Sequence, residues 1–488
     1  MRSSLLLPLL ITLSACVVGP AFKRPDDKLP SKWKEAHGKS DQPLPGEWWR
    51  LFHSSTLNHL VIQALEANQD LRGTLARVET SRALVGVKRA DWFPQLGMNG
   101  SATLLRNSPS VIGAQLPTGL SGLSAQQGKT STSTGSGAAS QGFGLPNLEQ
   151  ENYKASLDMS YELDLWGRVR RSVESAQASA RSADQLLFAQ RLTVAAEVAR
   201  NFFLLRSLDL QQEVVHNTLK LREEALSLQK SRFDGGMANE TDVTRARTEL
   251  ELAKADLAAL ERQRGSTEHA IAVLCGQMPS SFRLAADPSL PAPPAVPAGL
   301  PSDLLQSRPD IAAAASDLEA ANADIGVAKA AFFPSFKLTG SAGLNSARAT
   351  DFLNWENRAL SIGPSISLPI FQGGRLKSNF EAAKSRYNEV LAKYRQTVLV
   401  ALREVEDSLL DLQSIARQRA ALESAEKSAE DTTHLARVRY DKGLASYFEV
   451  VDADRTVLTT KLSIAQLDGQ RAASSVLLMK ALGGGWNR

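Results

Sequence analysis

The sequence predicts a mainly α-helical protein that contributes four strands to a transmembrane β-barrel, and three observations carry the prediction. Two helical stretches, about 167–233 and 374–440, contain no proline. At 1.5 Å per residue each would extend about 100 Å, more than a globular domain needs. Tyr153–Leu165, YKASLDMSYELDL, places apolar residues at odd positions and polar or charged ones at even positions. That is the period of a strand with one apolar and one wet face. The third observation is an internal repeat: ADWFPQLGMNGSATL (Ala90–Leu104) lies over AAFFPSFKLTGSAGL (Ala330–Leu344) with seven of fifteen positions identical. RFDGGMANETDV (Arg232–Val243) lies in the same way over RYDKGLASYFEV (Arg439–Val450).

The elements follow in chain order. Residues 1–15 read as a signal peptide, with Arg2, an apolar core and a small residue before Cys16. Leu13-Ser14-Ala15-Cys16 resembles a bacterial lipobox, in which the cysteine is acylated after cleavage; an ordinary signal with a chance cysteine is the bland alternative. Residues 16–55 form an N-terminal extended segment. The first repeat, 56–275, holds a helix over 56–90 and strands near 95–105 and 153–165. A long helix over 167–233 and a helix over 239–274 complete it. Between its strands, Leu105–Asn152 is rich in Gly, Ser, Thr and Gln and reads as a flexible loop. A proline-rich linker, 276–301, leads to the second repeat, 302–482. That repeat has a helix over 302–331, strands near 335–344 and 360–371, a long helix over 374–440 and a helix over 446–482. A short tail, 483–488, follows. The second long helix carries a seam at Leu391, Tyr394, Val398, Ala401, Val405, Ser408, Leu412 and Ile415, the 3-4 spacing of coiled-coil packing.

Composition narrows the function. The 56 basic residues against 52 acidic ones give a net charge of +4, and the two signs are interspersed, which argues against nucleic-acid binding. Two cysteines cannot build a disulfide framework, and Cys275 reads as a small buried thiol. The six histidines are scattered without ligand spacing, so neither an enzyme, a metal nor a cofactor is expected. Strands of 10–13 residues match what a tilted transmembrane strand requires. Four strands leave unpaired edges that lipid does not tolerate, so the barrel needs several chains.

The chain resembles the outer membrane factors, the TolC-like exit ducts, and among them the NodT-type efflux lipoproteins. The resemblance rests on the lipobox, WWRLFHSSTLNHLVIQALEANQDL (Trp48–Leu71), LLQSRPDIAAAASDLEAANADIGVAKAAFFPSFKLTGSAGL (Leu304–Leu344), LPIFQGGRL (Leu368–Leu376) and the paired RFDGG and RYDKG turns. It implies a homotrimer whose 12-stranded barrel continues into a periplasmic helical tunnel. It also implies partnership with a periplasmic adaptor and an inner-membrane pump, passive conduction of drugs or other small molecules, and outer-membrane anchoring through acylated Cys16. The turns Gly236-Met237-Ala238 and Gly443-Leu444-Ala445 would meet the adaptor. Asp242, Tyr440, Glu449, Asp452 and Arg455 would form a periplasmic gate. For Glu449 the competing reading is a capping box with Ser446. Ala445 stands where some relatives carry a basic latch residue. The alternative functions are an envelope scaffold without transport and a duct for type I protein secretion or metal export.

Overall fold

The structure, a computed structural model, describes residues 17–26, 29–35, 45–106, 149–294, 296, 299 and 301–485. Cys16 and most of the Leu105–Asn152 loop, both singled out above, lie outside the described residues. The described chain divides into two compact units. One holds the strands, in Gly86–Val173 and Gly326–Phe380 with the chain up to Gly19, and the other holds the remaining helices.

In the first unit, β1 (Gln95–Arg106), β2 (Glu149–Leu163), β3 (Ser335–Ser346) and β4 (Arg358–Ser367) form one antiparallel sheet in the order β1-β2-β3-β4. The registers keep face parity across all four strands. Met98 opposes Leu157, Leu157 opposes Ala342, and Ala342 opposes Leu360, so apolar residues share one face. On the other face, Asp158 accepts hydrogen bonds from Asn99 (2.6 Å) and Ser156 (3.1 Å). Among the described residues, β1 and β4 each keep one edge without a strand partner.

Away from the helices the strands run further than expected, β2 from Glu149 and β4 from Arg358, with β1 and β3 ending at Arg106 and Ser346, whereas two helix-side ends fall short. β2 stops at Leu163 rather than Leu165, because Asp164 caps the following helix. Its carboxylate accepts from the backbone N–H groups of Val169 (3.1 Å) and Arg170 (2.9 Å), so it is a cap and not a wall residue. β4 stops at Ser367 rather than Phe371, since Pro369 has no N–H to continue the ladder. Trp166 fastens the junction by donating from its indole N–H to the Pro334 carbonyl (2.7 Å) and stacking on Phe333. Gly167, at φ +80, is required there, since a Cβ would meet Val17 at 2.9 Å.

The helices are α1 (Ser55–Ala67), α2 (Gln69–Ala90), α3 (Arg168–Asp234), α4 (Glu240–Leu274), α5 (Leu304–Ser307), α6 (Pro309–Ala330), α7 (Arg375–Asp441) and α8 (Tyr447–Ala481). α3 and α7 are each 67 residues long, and α4 and α8 are each 35. The core of the second unit packs Trp48, Phe52, Leu57, Phe202, Phe203, Ile311, Tyr394 and Met479 among small residues such as Ala199, Ala401 and Ala472, which let helix backbones approach closely. The seam expected on α7 is buried at Tyr394, Val398, Ala401, Val405 and Ser408. A buried carboxylate, Asp209, ties the linker down. It pairs with Arg206 (2.8 Å) and Arg264 (2.6 Å) and accepts from the Asp287 N–H.

The helices expected as single pieces over 56–90 and 302–331 are each broken. At Asn68 the backbone turns extended (ψ 128). The Asn68 side chain accepts from the Leu71 N–H (3.1 Å), capping α2, and donates to the Leu274 carbonyl (2.9 Å) at the end of α4. At Arg308 the backbone is extended as well (ψ 121), because Pro309 disfavours helix in the residue before it. The Arg308 guanidinium holds both oxygens of Asp310 (2.6 and 3.0 Å), Glu404 (2.7 Å) and the Ala481 carbonyl (3.0 Å) at the end of α8.

Candidate gate and docking turns

α3 and α7 end in the same turn. After α3, the N–H of Gly236 bonds the Phe233 carbonyl (2.9 Å) and that of Met237 bonds Arg232 (2.7 Å). After α7, Gly443 bonds Tyr440 (2.9 Å) and Leu444 bonds Arg439 (2.8 Å). This is the Schellman closure, and it places Gly236 and Gly443 at φ +67 and +71, where glycine carries no penalty. In that motif the residue after the glycine usually packs back on its helix. Here Met237 and Leu444 are instead 77% and 68% exposed. Asn239 caps α4 by accepting from the Thr241 N–H.

The expected gate residues do not form one cluster. Tyr440 sits in a contact set between the two long helices. Its hydroxyl donates to Gln229 (2.9 Å), and its ring lies 5.0 Å from the Arg232 guanidinium and 5.6 Å from the Tyr447 ring. Arg232 also pairs with Asp441 (3.1 Å), and Tyr440 and Asp441 together hold the guanidinium's pKa above its ordinary value. A cation therefore stands beside Tyr440 although Ala445 supplies none. It comes from the other turn.

Arg455 reaches across to Glu249 on α4, which is also paired with Arg222 of α3 at 3.0 Å. Glu249 is 5% exposed at its side chain, so one buried carboxylate is shared by a buried arginine and by Arg455, which is half exposed. Neither Glu249 nor Arg222 is among the residues expected at the gate. The available signal was a carboxylate on the α4 stripe of Ala246, Leu250 and Ala253, which is otherwise small and apolar.

Glu449 does not form the capping box. Ser446 makes no side-chain cap bond, and Glu449 turns instead to Arg439 (3.3 Å) in the last turn of α7, where an opposite charge is within reach. Asp452 is exposed, and its charge acts on Arg455 without a direct bond. Asp242 is half-buried in the first turn of α4. Among the described residues, no hydrogen bond or ion pair joins Asp242, Glu449 and Asp452 to one another. A groove of about 740 Å³ runs beside Tyr440 and Arg222, lined also by Leu221, Leu228, Gln229, Arg437 and Tyr447. Among the described residues, no helix is long and apolar enough to cross a membrane, and no three His, Cys, Asp or Glu side chains gather as a metal site.

The family model for outer membrane efflux proteins matches residues 60–277 and 300–484. Over 483 residues the chain is 31% identical to the outer membrane protein OprJ of Pseudomonas aeruginosa, covering 98% of this chain and 94% of that protein. It is 32% identical to the toluene efflux pump outer membrane protein TtgI of Pseudomonas putida, covering 98% and 97%. Among solved structures, the outer-membrane channel OprN superposes with a TM-score of 0.84 at 30% identity, over 97% of this chain and 100% of that one. The open state of the MtrE channel of Neisseria gonorrhoeae gives 0.77 at 27%, over 96% and 99%. With helices and sheet matched from end to end, the chain belongs to the outer membrane efflux protein family.

Proposed function

We propose that three copies of this chain close a 12-stranded barrel in the outer membrane and form the exit duct of a tripartite efflux system. The observation that carries this reading is the four-stranded sheet, with apolar residues on one face, polar residues on the other and a free edge at each side. Such edges are not tolerated in lipid and call for further strands. Four strands each from three chains give a barrel wide enough for an aqueous lumen. The number three follows the family. The two halves are internal repeats on this reading, because α3 and α7, like α4 and α8, begin 207 residues apart.

Conduction is passive, with energy supplied by an inner-membrane pump through a periplasmic adaptor. The adaptor meets the turns at Gly236-Met237-Ala238 and Gly443-Leu444-Ala445, where Met237 and Leu444 offer exposed apolar side chains. The cargo is a small organic molecule, in line with relatives named for toluene and antibiotic efflux. Asp242, Tyr440, Glu449, Asp452 and Arg455 form the gate, with Arg222, Arg232 and Glu249 holding its closed arrangement. Acylated Cys16 anchors the N-terminus in the outer membrane.

Purified protein in planar bilayers tests the duct. The expected result is a small conductance that rises when Tyr440→Phe and Arg455→Ala release the closed arrangement. No conductance in the wild type, in these variants or after neutralising Asp242 and Asp452 would leave a non-conducting scaffold as the answer. Lipidation is tested separately. Cys16→Ser is expected to abolish incorporation of labelled palmitate, and unchanged incorporation and fractionation would rule out the anchor.

A further inference from the structure

A second groove lies apart from the proposed gate, between α6 and α7. Its volume is about 330 Å³, and Ser179, Asp317, Asp324, Arg386, Lys393 and Tyr394 line it together with alanines of α6. All of these residues belong to the second unit. The charged groups in the wall differ in what they bond. Arg386 and Lys393 are both tied to Glu389 of their own helix, at 2.6 and 2.7 Å. Asp317 and Asp324 are exposed, and among the described residues neither side chain has a hydrogen-bond or ion-pair partner. Tyr394 is 0% exposed, yet its hydroxyl also has no partner among the described residues. A buried hydroxyl in that state is costly, so a group in the groove that bonds it is favoured.

Helix packing does not require these groups. In the sequence repeat Asp317 and Asp324 correspond to Arg77 and Leu84 of α2, and Arg386, Lys393 and Tyr394 correspond to Ser179, Leu186 and Leu187 of α3. α2 and α3, joined by Arg82 and Asp184 at 2.8 Å, thus carry neither the acid pair nor the buried hydroxyl. The spacing of the acids limits what they can hold. Seven residues apart on one helix, they are separated by about 10 Å along its axis at 1.5 Å per residue. One metal ion, with carboxylate oxygens at about 2.0–2.6 Å, cannot serve both. Two positive groups joined by a chain can. With Glu389, three acids stand against two bases, so the wall is net negative and its unpaired members are the acids.

We propose that this groove binds an elongated organic dication of the polyamine class. One ammonium pairs with each aspartate, the chain crosses the alanines, and the Tyr394 hydroxyl accepts from an amine N–H. The inference goes beyond the duct reading and does not depend on it. It is tested by calorimetric titration of spermidine into the full-length protein in a non-ionic detergent. Binding of one spermidine per chain is expected. Asp317→Asn and Asp324→Asn are each expected to weaken it roughly tenfold, as for a lost charge-assisted bond, and Tyr394→Phe by about threefold. Asp242→Asn, at the proposed gate, is expected to leave it unchanged. Arg386→Gln removes a competing base and is expected to tighten binding by about threefold, a change that a misfolded variant would not give. The short 1,3-diaminopropane, which cannot reach both aspartates, is expected to bind far more weakly than spermidine. No binding to the wild type, or equal affinity in the wild type and both aspartate variants, would overturn the site. Equal affinity for the short and long amines would overturn the two-point contact.

Discussion

The breaks at Asn68 and Arg308 solve one mechanical problem twice, with different chemistry. In each, a helix is interrupted beside the C-terminal end of another, and a side chain at the break bonds the last carbonyls of that neighbour. The backbone geometry is nearly the same. Gly276 follows α4 at φ +67, and a Cβ there would meet the Ala67 carbonyl at 2.5 Å. Gly483 follows α8 at φ +93 and would meet the Ser307 carbonyl at 1.9 Å. The charge is not the same. Asn68 is a neutral amide with two backbone partners, whereas Arg308 is a buried guanidinium that also binds Glu404 on α7. Burial works against that charge, but Asp310 and Glu404 more than restore it, and its pKa is raised. The lesson is that backbone closure can be shared while the tie to the long helix is made in only one of the two breaks. Glu197 of α3, 207 residues before Glu404, pairs with its own neighbour Arg200 (2.7 Å) instead.

The largest effect that would sharpen this contrast is expected from Arg308→Ala. It leaves Asp310, Glu404 and the Ala481 carbonyl without their shared donor. A cost of about 2–4 kcal/mol is expected, below the figure for a fully buried pair because the two acids are partly exposed. Urea unfolding of the detergent-solubilised protein measures it, and a loss no larger than that of Asn68→Ala would break the comparison. Gly276→Ala and Gly483→Ala are expected to cost similar amounts, at least about 1–2 kcal/mol each from the left-handed backbone plus relief of the carbonyl contact. A clear inequality between them would show that the two closures are not equivalent. Asn68→Ala is expected to cost about 1 kcal/mol, the value of a helix cap.

Arg455→Ala is expected to change stability by less than about 1 kcal/mol, because its half-exposed side chain is screened. Arg222→Ala, which removes the buried partner of Glu249, is expected to cost more. Equal losses in thermal scans would remove the distinction between a permanent and a releasable tie. The smallest effect concerns the thiol beside the first break. Burial pushes the Cys275 pKa up to about 11, so at pH 8 roughly one thiol in a thousand is ionised. Native protein is expected to react with a disulfide reagent far more slowly than protein in guanidinium, and equal rates would show that the break opens.

The mainly helical chain and its four-stranded sheet were legible because both are properties of local period. The alternation of YKASLDMSYELDL belongs to one strand and needs no knowledge of its neighbours. The break at Arg308 has a mark in the sequence, since Pro309 restricts the residue before it, although a single helix is expected over 302–331. The break at Asn68 has no such mark: its side chain caps one helix and closes another more than 200 residues away. Asp164 shows the same limit, as its place in the alternation gave no hint that it would cap α3. At the proposed gate, charged residues were recognisable but their partners were not. Arg455 finds Glu249 and Tyr440 finds Arg232 through tertiary packing, which spacing along one helix does not encode.

The free edges of β1 and β4 have a consequence for inheritance. If several chains close the barrel as proposed, a chain whose β1 edge cannot pair would still present a sound β4 edge, enter rings with normal chains and spoil them. On the proposed three-chain ring, equal expression of sound and edge-defective chains leaves roughly one ring in eight built wholly of sound chains. A lesion in one edge would therefore act dominantly, while a lesion that keeps the whole chain from folding would be masked by a good copy.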